Sequence, residues 1–442
     1  MTKDKMNFNI LSKYSEVPSN NSELSTMPIA IIGAGPVGLA AAAHLVAKNE
    51  KFLLIESGPS VGNNILTWGH VRLFSSWQFN IDKVAMQLLQ ENGWLAPVMK
   101  RLPYGKNIVE DYLIPLANLP QIKPFIKLDS TVMAISKNGL DKMKNAKRDE
   151  QSFVLYVEKE GQTERIEARA IIDATGTWGQ PNPVNADNVW TKQEKLLASK
   201  ITYGIPDITG ESRSKFEHKR VAVVGGGHSA INTILELATL EGTEIVWILR
   251  KNRVEDAYGG EALDALPARG QLGSRIHQLV DNGRISTHTP FLIHQVIDEG
   301  NSLTIHGTTK GEGTTIHHID EIIANTGSRP DFNFLREIRL DIDSATESIS
   351  KLAPLIDPNL HSCGTVRPHG ETELRQPEKN FYIVGMKSYG RAPTFLMATG
   401  YEQVRSVVAH LTGDLEAAKR VELDLPETGV CSTNLLTKNS CC

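Results

Sequence analysis

The sequence predicts an α/β fold of two Rossmann-like dinucleotide-binding domains, each carrying a small antiparallel meander, with the second domain inserted into the first. Three observations predict it. An apolar run, a glycine-rich turn and a helical segment occur in that order twice, with first glycines Gly33 and Gly225. Each unit is followed, much later, by a similar short phrase, "DATG" at Asp173 to Gly176 and "NTG" at Asn325 to Gly327. Between unit and phrase lie short alternating runs that read as strands.

Taken in order, residues 1–26 are polar, broken by Pro18, and expected to be a flexible leader. The first unit, "PIAIIGAGPVGLAAAAHLVAKNEKFLLIE", runs from an apolar strand at Ile29 to Ile32 through an alanine-rich helix to a second strand ending at Glu56. "FVLYVEK" and "RIEARAII" are expected to form the antiparallel meander. The second unit, from Val221 to Arg250, repeats the strand, helix and strand. In the closing segment Leu396, Met397, Tyr401, Val404, Val408 and Leu411 recur at helical spacing, and Pro393 suits the first turn of that helix. The expected boundaries are 27–205 for the first segment of the split domain, 206–330 for the insert, 331–412 for the closing segment and 413–442 for a tail.

The glycines carry a steric argument. Gly33 permits the tight turn out of the strand, Gly35 lets a pyrophosphate approach the backbone, and Gly38 lets helix and strand pack closely. With Pro36 between them, they open a helix whose positive end receives the phosphates. Glu56, at the end of the second strand, can accept hydrogen bonds from ribose hydroxyls. The second site comprises Gly225, Gly227, His228, Ser229 and Ala230, and its second strand ends in Arg250, followed by Lys251 and Arg253. A carboxylate there would repel a ribose 2′-phosphate, whereas an arginine pairs with it, so NADPH is expected over NADH. Two dinucleotide sites in one chain imply an electron path, and FAD is the common dinucleotide that takes a hydride and stays bound.

Composition narrows the partners. The 442 residues are 40% hydrophobic and 22% charged with a formal net charge of -4, which argues against an electrostatic grip on nucleic acid or an anionic membrane. No window is apolar for long enough to span a membrane. Four cysteines are too few for a disulfide framework, so a cytoplasmic setting is expected. The expected partners are a small-molecule substrate and oxygen, with a homodimer as an admitted assembly.

The order of "GAGPVG", "DATGTWGQPNP", "VVGGGHSA" and "NTGSRPD" resembles the flavoproteins with two dinucleotide-binding domains, in particular NADPH-dependent flavin-containing monooxygenases, over residues 29 to 412. The resemblance implies FAD on the split domain and NADPH on the insert, with Thr175, Gly176 and Gly327 among the cofactor contacts. More narrowly, "LAPLIDPNLHSCGTVRPHG", "GMKSYGRAPTFLMATGYEQVRS" and "LPETGVCST" look like bacterial flavoproteins associated with arsenic resistance, including those that oxidise methylarsenite. Two departures stand out. Many relatives carry Gly-Asp at the end of the last strand, where this chain has Gly385 and Met386, so the flavin contact is expected from Lys387, Tyr389 or the amides of "YGRAP", which include Arg391. The phenylalanine and histidine signature usual before the second glycine motif is also absent from "ITYGIPDITGESRSKFEHKR".

No cysteine occurs from Met1 to Ser362, which excludes both usual placements of a redox dithiol. Electrons from a reduced flavin must therefore reach oxygen, a diffusing acceptor or the C-terminal thiols. For oxygen chemistry water must be excluded, and "TWGHVRLFSSWQFN" offers Trp68, Phe74 and Trp77 as shields and His70, Arg72, Ser75 or Ser76 as hydrogen-bonding groups. Arg72, Trp77 and Cys363 are the nominated catalytic residues. Zinc at His361, Cys363 and His369 is weakly supported by their spacing. Adjacent Cys441 and Cys442, with Cys431, form a soft ligand set suited to a thiophilic metal or metalloid ion. The leading reading is an NADPH-dependent FAD monooxygenase of a small soft nucleophile such as methylarsenite. The alternatives are a reductase of a thiol-bound acceptor or metal ion working through the tail cysteines, and a binding protein that senses NADPH without turnover.

Overall fold

The computed structural model describes residues 21–264, 266–360, 369–392 and 395–423. Its strands are β1 (Ile29–Ile32), β2 (Phe52–Ile55), β3 (Ile126–Lys127), β4 (Thr131–Lys137), β5 (Phe153–Lys159), β6 (Gln162–Ala168), β7 (Ala170–Asp173) and β8 (Ile201–Tyr203). They continue with β9 (Arg220–Val224), β10 (Glu244–Ile248), β11 (Ile285–His288), β12 (Leu292–Asp298), β13 (Leu303–Thr309), β14 (Glu312–Ile319), β15 (Glu321–Ala324) and β16 (Phe381–Ile383).

Two parallel sheets dominate. The first has the order β16-β7-β1-β2-β3 and the second β11-β10-β9-β15-β8. β1 is "IAII", buried at every position, as a strand covered on both faces must be. It pairs with β2 from Ile29↔Phe52 to Ile32↔Ile55, and with β7 from Ile29↔Ala170 to Ile32↔Asp173. In the second sheet β9 takes the same central place, between β10 and β15. The α/β class with parallel sheets and small antiparallel ones is therefore the fold of this chain.

In each sheet the chain order reverses beside the central strand, between β1 and β7 and between β9 and β15. Crevices at the carboxyl ends of strands at such a reversal are where open α/β sheets bind ligands. The small sheets β4-β5-β6 and β12-β13-β14 are antiparallel meanders. The run "RIEARAII" divides: its first half belongs to β6, while Ala170 to Ile172 enter the parallel sheet as β7. Alternation describes only the half-exposed part, because the second half is covered on both faces.

The alanine-rich helix Pro36–Ala47 buries nine of its twelve residues, from Val37 to Leu45. Small side chains let it sit close to the sheet beneath and to the closing helix Met397–Leu411. That closing helix begins at Met397 with Leu396 as its cap, so the turn does not start near Pro393, which lies outside the described residues. Tyr401, Val404 and Val408 are buried along it as their spacing predicts. Among the described residues no helix is long and apolar enough to cross a membrane.

Candidate functional site

The first crevice is built by the turn after β1. Gly33 has φ +96°, and a Cβ there would lie 2.8 Å from the Ala174 carbonyl oxygen. The glycine turn and the Asp173–Gly176 turn are thus in direct backbone contact. A Cβ on Gly38 would collide with the Gly33 carbonyl, whereas one on Gly35 would meet nothing within 4 Å. That open space lies at the amino end of the Pro36–Ala47 helix, whose cap, Gly35, makes no side-chain hydrogen bond. Three glycines therefore have three different surroundings, and they match the demands of a turn, a pyrophosphate and a helix packed on a strand. Glu56 accepts from Ala34 N–H at 2.7 Å and from Gly58 N–H at 2.8 Å, which fixes its carboxylate at the rim of the crevice.

Thr175 is fixed by Asp173, whose Oδ1 accepts its N–H at 3.1 Å and its hydroxyl at 2.7 Å. Gly176 has φ +69° and open space around it. From the closing segment, Gly385 donates its N–H to Gln403 Oε1 at 2.7 Å. Lys387 does not face the crevice: it is buried and ion-paired with Asp173 at 2.7 Å. The amides of Gly390, Arg391 and Ala392 are bonded to the carbonyls of Lys387, Thr346 and Tyr389, and the Arg391 side chain is exposed. The segment expected to replace the missing aspartate is therefore occupied with its own turn.

The second crevice repeats the first. Gly225 has φ +137° and a Cβ on it would collide with the Asn325 carbonyl, while one on Gly227 would meet nothing within 4 Å. The helix His228–Leu237 starts there, with Ser229 in its first turn and Ala230 fully buried. Gly327 has φ +80° beside Asn182. Arg250 is exposed, while Lys251 Nζ donates to the Asp256 carbonyl at 2.8 Å and Arg253 pairs with Asp256 at 3.0 Å. Sequence reasoning missed Arg269 and Asp264, a buried pair at 2.6 Å beside this crevice. Burial first, then the Arg269 charge, pushes His228 down to about 4, so its imidazole is neutral at pH 7.

The crevices meet at the loop after the first unit. Phe74 lies against His228 with ring centres 5.6 Å apart and planes tilted by 50°, and Trp68 lies 6.2 Å from Trp178, whose Nε1 donates to Thr67 Oγ1 at 2.9 Å. The two turns are stitched as well: Asn182 N–H donates to the Gly327 carbonyl at 2.9 Å, Thr326 Oγ1 to the Asn182 carbonyl at 2.6 Å, and Thr177 and Ser328 hydroxyls meet at 2.9 Å. Within the loop, His70 Nε2 is buried without a hydrogen-bond partner. Burial lowers its pKa, with Asp207 opposing, so it too is neutral at pH 7. Trp77 is 2% exposed in the hydrophobic core, so it packs the first body instead of facing the junction. Arg72 is exposed, and its backbone bridges to Tyr104. Ser75 donates to Asn80 Oδ1 at 3.1 Å. Trp178 was legible only as part of a glycine-rich phrase.

All four cysteines and His361 lie outside the described residues. His369 is buried, and its Nε2 is 2.9 Å from Gln403 Nε2. Among the described residues no group of three or more His, Cys, Asp or Glu could hold a metal ion.

Comparison with known proteins agrees with this architecture. The family model described as pyridine nucleotide-disulphide oxidoreductase matches residues 30–351. A ferredoxin–NADP reductase of Enterococcus faecalis is 22% identical over 352 residues, covering 78% of this chain and 85% of that protein. Among solved structures, the bacillithiol disulfide reductase Bdr of Bacillus cereus superposes with a TM-score of 0.63 at 22% identity, covering 88% of this chain and 99% of that one. The FAD-bound cadaverine monooxygenase DfoA of Erwinia amylovora gives 0.62 at 12% identity, over 90% and 98% of the two chains.

Proposed function

The chain belongs to the pyridine nucleotide-disulphide oxidoreductase family, and from that premise we propose that it passes electrons from NADPH through FAD to an acceptor that diffuses to the junction of its two crevices. It is an oxidoreductase with FAD and NADPH as cofactors. Bound FAD supplies the two-electron chemistry, taking a hydride and returning electrons to a second substrate. The chain's own residues do the rest. Gly33, Gly35, Pro36 and Gly38 admit the FAD pyrophosphate to a helix terminus, and Glu56 receives its ribose. Gly225, Gly227 and the His228–Leu237 helix do the same for NADPH, with Arg250 set for the 2′-phosphate. Open space at Gly35 and Gly227 and the bare helix ends beside them are the features that fit both cofactors.

One observation carries the choice of a diffusing acceptor: no cysteine lies between Met1 and Ser362, so neither crevice has a dithiol of its own in that span. Trp68, Phe74 and Trp178 give the junction an apolar lining, and His70 Nε2 retains one unused hydrogen-bonding position there. This supports monooxygenation of a small soft nucleophile, with methylarsenite as the substrate to test first. Of the nominated residues, Trp77 is packed in the core, Arg72 stays exposed in the junction loop, and Cys363 lies outside the described residues. The test is NADPH and oxygen consumption by FAD-loaded protein in air, with and without methylarsenite. Stoichiometric oxygen uptake with a pentavalent product supports the reading. No rise above background removes the arsenical. Rapid anaerobic NADPH oxidation that requires Cys441 and Cys442 would replace oxygenation by reduction through the tail.

A further inference from the structure

The first crevice holds a charge pair where two of its framing turns meet, and its twin has none at the corresponding place, its own buried pair, Arg269–Asp264, lying elsewhere. Lys387 and Asp173 are both 0% exposed, their charges meet at 2.7 Å, the ammonium also lies 3.2 Å from Thr175 Oγ1, and it sits 4.5 Å from the centre of the Phe334 ring. Taking two charges out of water is costly, and well-packed apolar side chains in such a place are often as stable or more so. Stability alone gives no reason for the pair.

Its position gives one. β16 runs beside β7, and Val384 N–H donates to the Asp173 carbonyl at 2.9 Å. Three residues later Lys387 reaches back over the end of β7. Asp173 holds the Thr175 turn with Oδ1 and the Gly385–Tyr389 turn, through Lys387, with Oδ2. On the other side, Gln403 of the closing helix binds Gly385 N–H through Oε1 and donates to Ser388 Oγ at 2.9 Å. The Gly385 turn also packs on Val37, the second residue of the helix at the open space, where a Cβ on Gly385 would lie 3.3 Å from Val37 Cγ2. Three segments that frame the crevice are braced at one point.

The second crevice is an internal control. There the strand beside β15 is β8, and the equivalent bridge is Asn325 Nδ2 donating to the Gly204 carbonyl at 2.8 Å. A single neutral hydrogen bond stands where the first crevice has a buried ion pair.

We propose that Lys387 is a positioning residue that keeps the first crevice closed around a resident dinucleotide, while the neutral bridge at Asn325 leaves the second free to exchange its dinucleotide at each turnover. Separating the Thr175 and Gly385 turns exposes two buried charges to each other's loss, which makes opening rare. Breaking the neutral bond in the second crevice exchanges it for bonds to water at little cost. The proposal rests on FAD occupying the first crevice and NADPH the second.

The test uses the full-length holoenzyme. FAD release is followed by the rise of flavin fluorescence after dilution, and NADP⁺ affinity by titration of the flavin spectrum, for wild type, Lys387→Met, Lys387→Arg and the double variant D173N/K387M. The double variant removes both charges together, so it leaves none unpaired if Lys387→Met alone fails to fold. FAD release at least tenfold faster in the folded double variant, NADP⁺ affinity within twofold of wild type, and recovery of most of the slow release in Lys387→Arg are expected. Wild-type FAD release from the folded double variant overturns the proposal. Equal weakening of both dinucleotides also overturns it, because a merely structural pair would act on both. Competition between NADP⁺ and FAD for one site would overturn the placement of FAD, and the proposal with it.

Discussion

Replacing Gly35 with alanine separates cofactor binding from folding. Gly35 has φ −79° and ψ −173°, an extended conformation open to any residue, and its added Cβ would touch nothing within 4 Å. Alanine is a poorer helix cap than glycine by roughly 0.5–1 kcal/mol, and the less flexible unfolded chain returns about 0.4–1 kcal/mol, so the two nearly cancel and apoprotein stability should change by no more than about 0.5 kcal/mol. The same methyl fills the space into which the pyrophosphate must come. Each charge-assisted hydrogen bond lost between phosphate and helix terminus is worth about 1.5–3 kcal/mol, roughly 10- to 100-fold in affinity. Losing one or two puts FAD affinity down by about 10- to 10,000-fold. Gly38→Ala is the contrast: its Cβ would collide with the Gly33 carbonyl, and overpacking of this kind costs about 1–3 kcal/mol or more in the apoprotein itself. Flavin fluorescence quenching measures FAD affinity, and urea denaturation of each apoprotein measures stability. Gly35→Ala with wild-type FAD affinity, or with an apoprotein as destabilised as Gly38→Ala, would refute the assignment of that open space to a phosphate.

Three further outcomes are expected. Arg250→Ala should weaken NADPH by roughly 10- to 100-fold, one charge-assisted phosphate contact, and leave NADH within about twofold; equal loss for both in equilibrium titrations would take Arg250 off the 2′-phosphate. Breaking the buried Arg148–Glu378 pair, at 2.7 Å, by Glu378→Gln should cost about 3–5 kcal/mol in urea denaturation, since Arg148 would keep its charge in the core. Glu236 is pushed up to about 7 by burial first and by Asp207 second. Its folded form therefore keeps a proton that the unfolded chain, titrating near 4.5, releases, and stability falls as pH rises from about 4.5 to 7. Glu236→Gln should gain about 1 kcal/mol at pH 8 relative to pH 5, a figure reduced for partial exposure, and a pH-independent difference between the two proteins would show that Glu236 is not the titrating group.

The sequence was most legible where one local motif has only one structural solution. A glycine triplet after an apolar run fixes a strand end, a turn and a helix start within a few residues, and Gly33, Gly35 and Gly38 each sit in the surroundings that their spacing requires. The same holds for Tyr401, Val404 and Val408, whose period is a property of one helix. "RIEARAII" failed because alternation and continuous burial occur side by side in one run, and the change between them depends on a sheet assembled from distant strands. Trp77 failed for a related reason. An aromatic in a loop can turn toward a cleft or into a core, and Trp77 joins the core of the first sheet, a choice that periodicity does not make.

Lys387 shows why the finest features escape a reading along the chain. Beside a missing aspartate, a lysine looks like its replacement as a cofactor ligand. Its partner is Asp173, more than two hundred residues earlier, at a register position known only once β16 is placed beside β7. The contact then changes the meaning of both residues, because the "DATG" aspartate becomes the anchor of two turns and the lysine a brace behind the crevice. The comparable place in the second crevice carries the neutral Asn325–Gly204 bond, so two similar glycine motifs sit on frames that are tied differently. If the two cofactors differ in how long they stay, as proposed above, the basis lies behind the glycines and not in them.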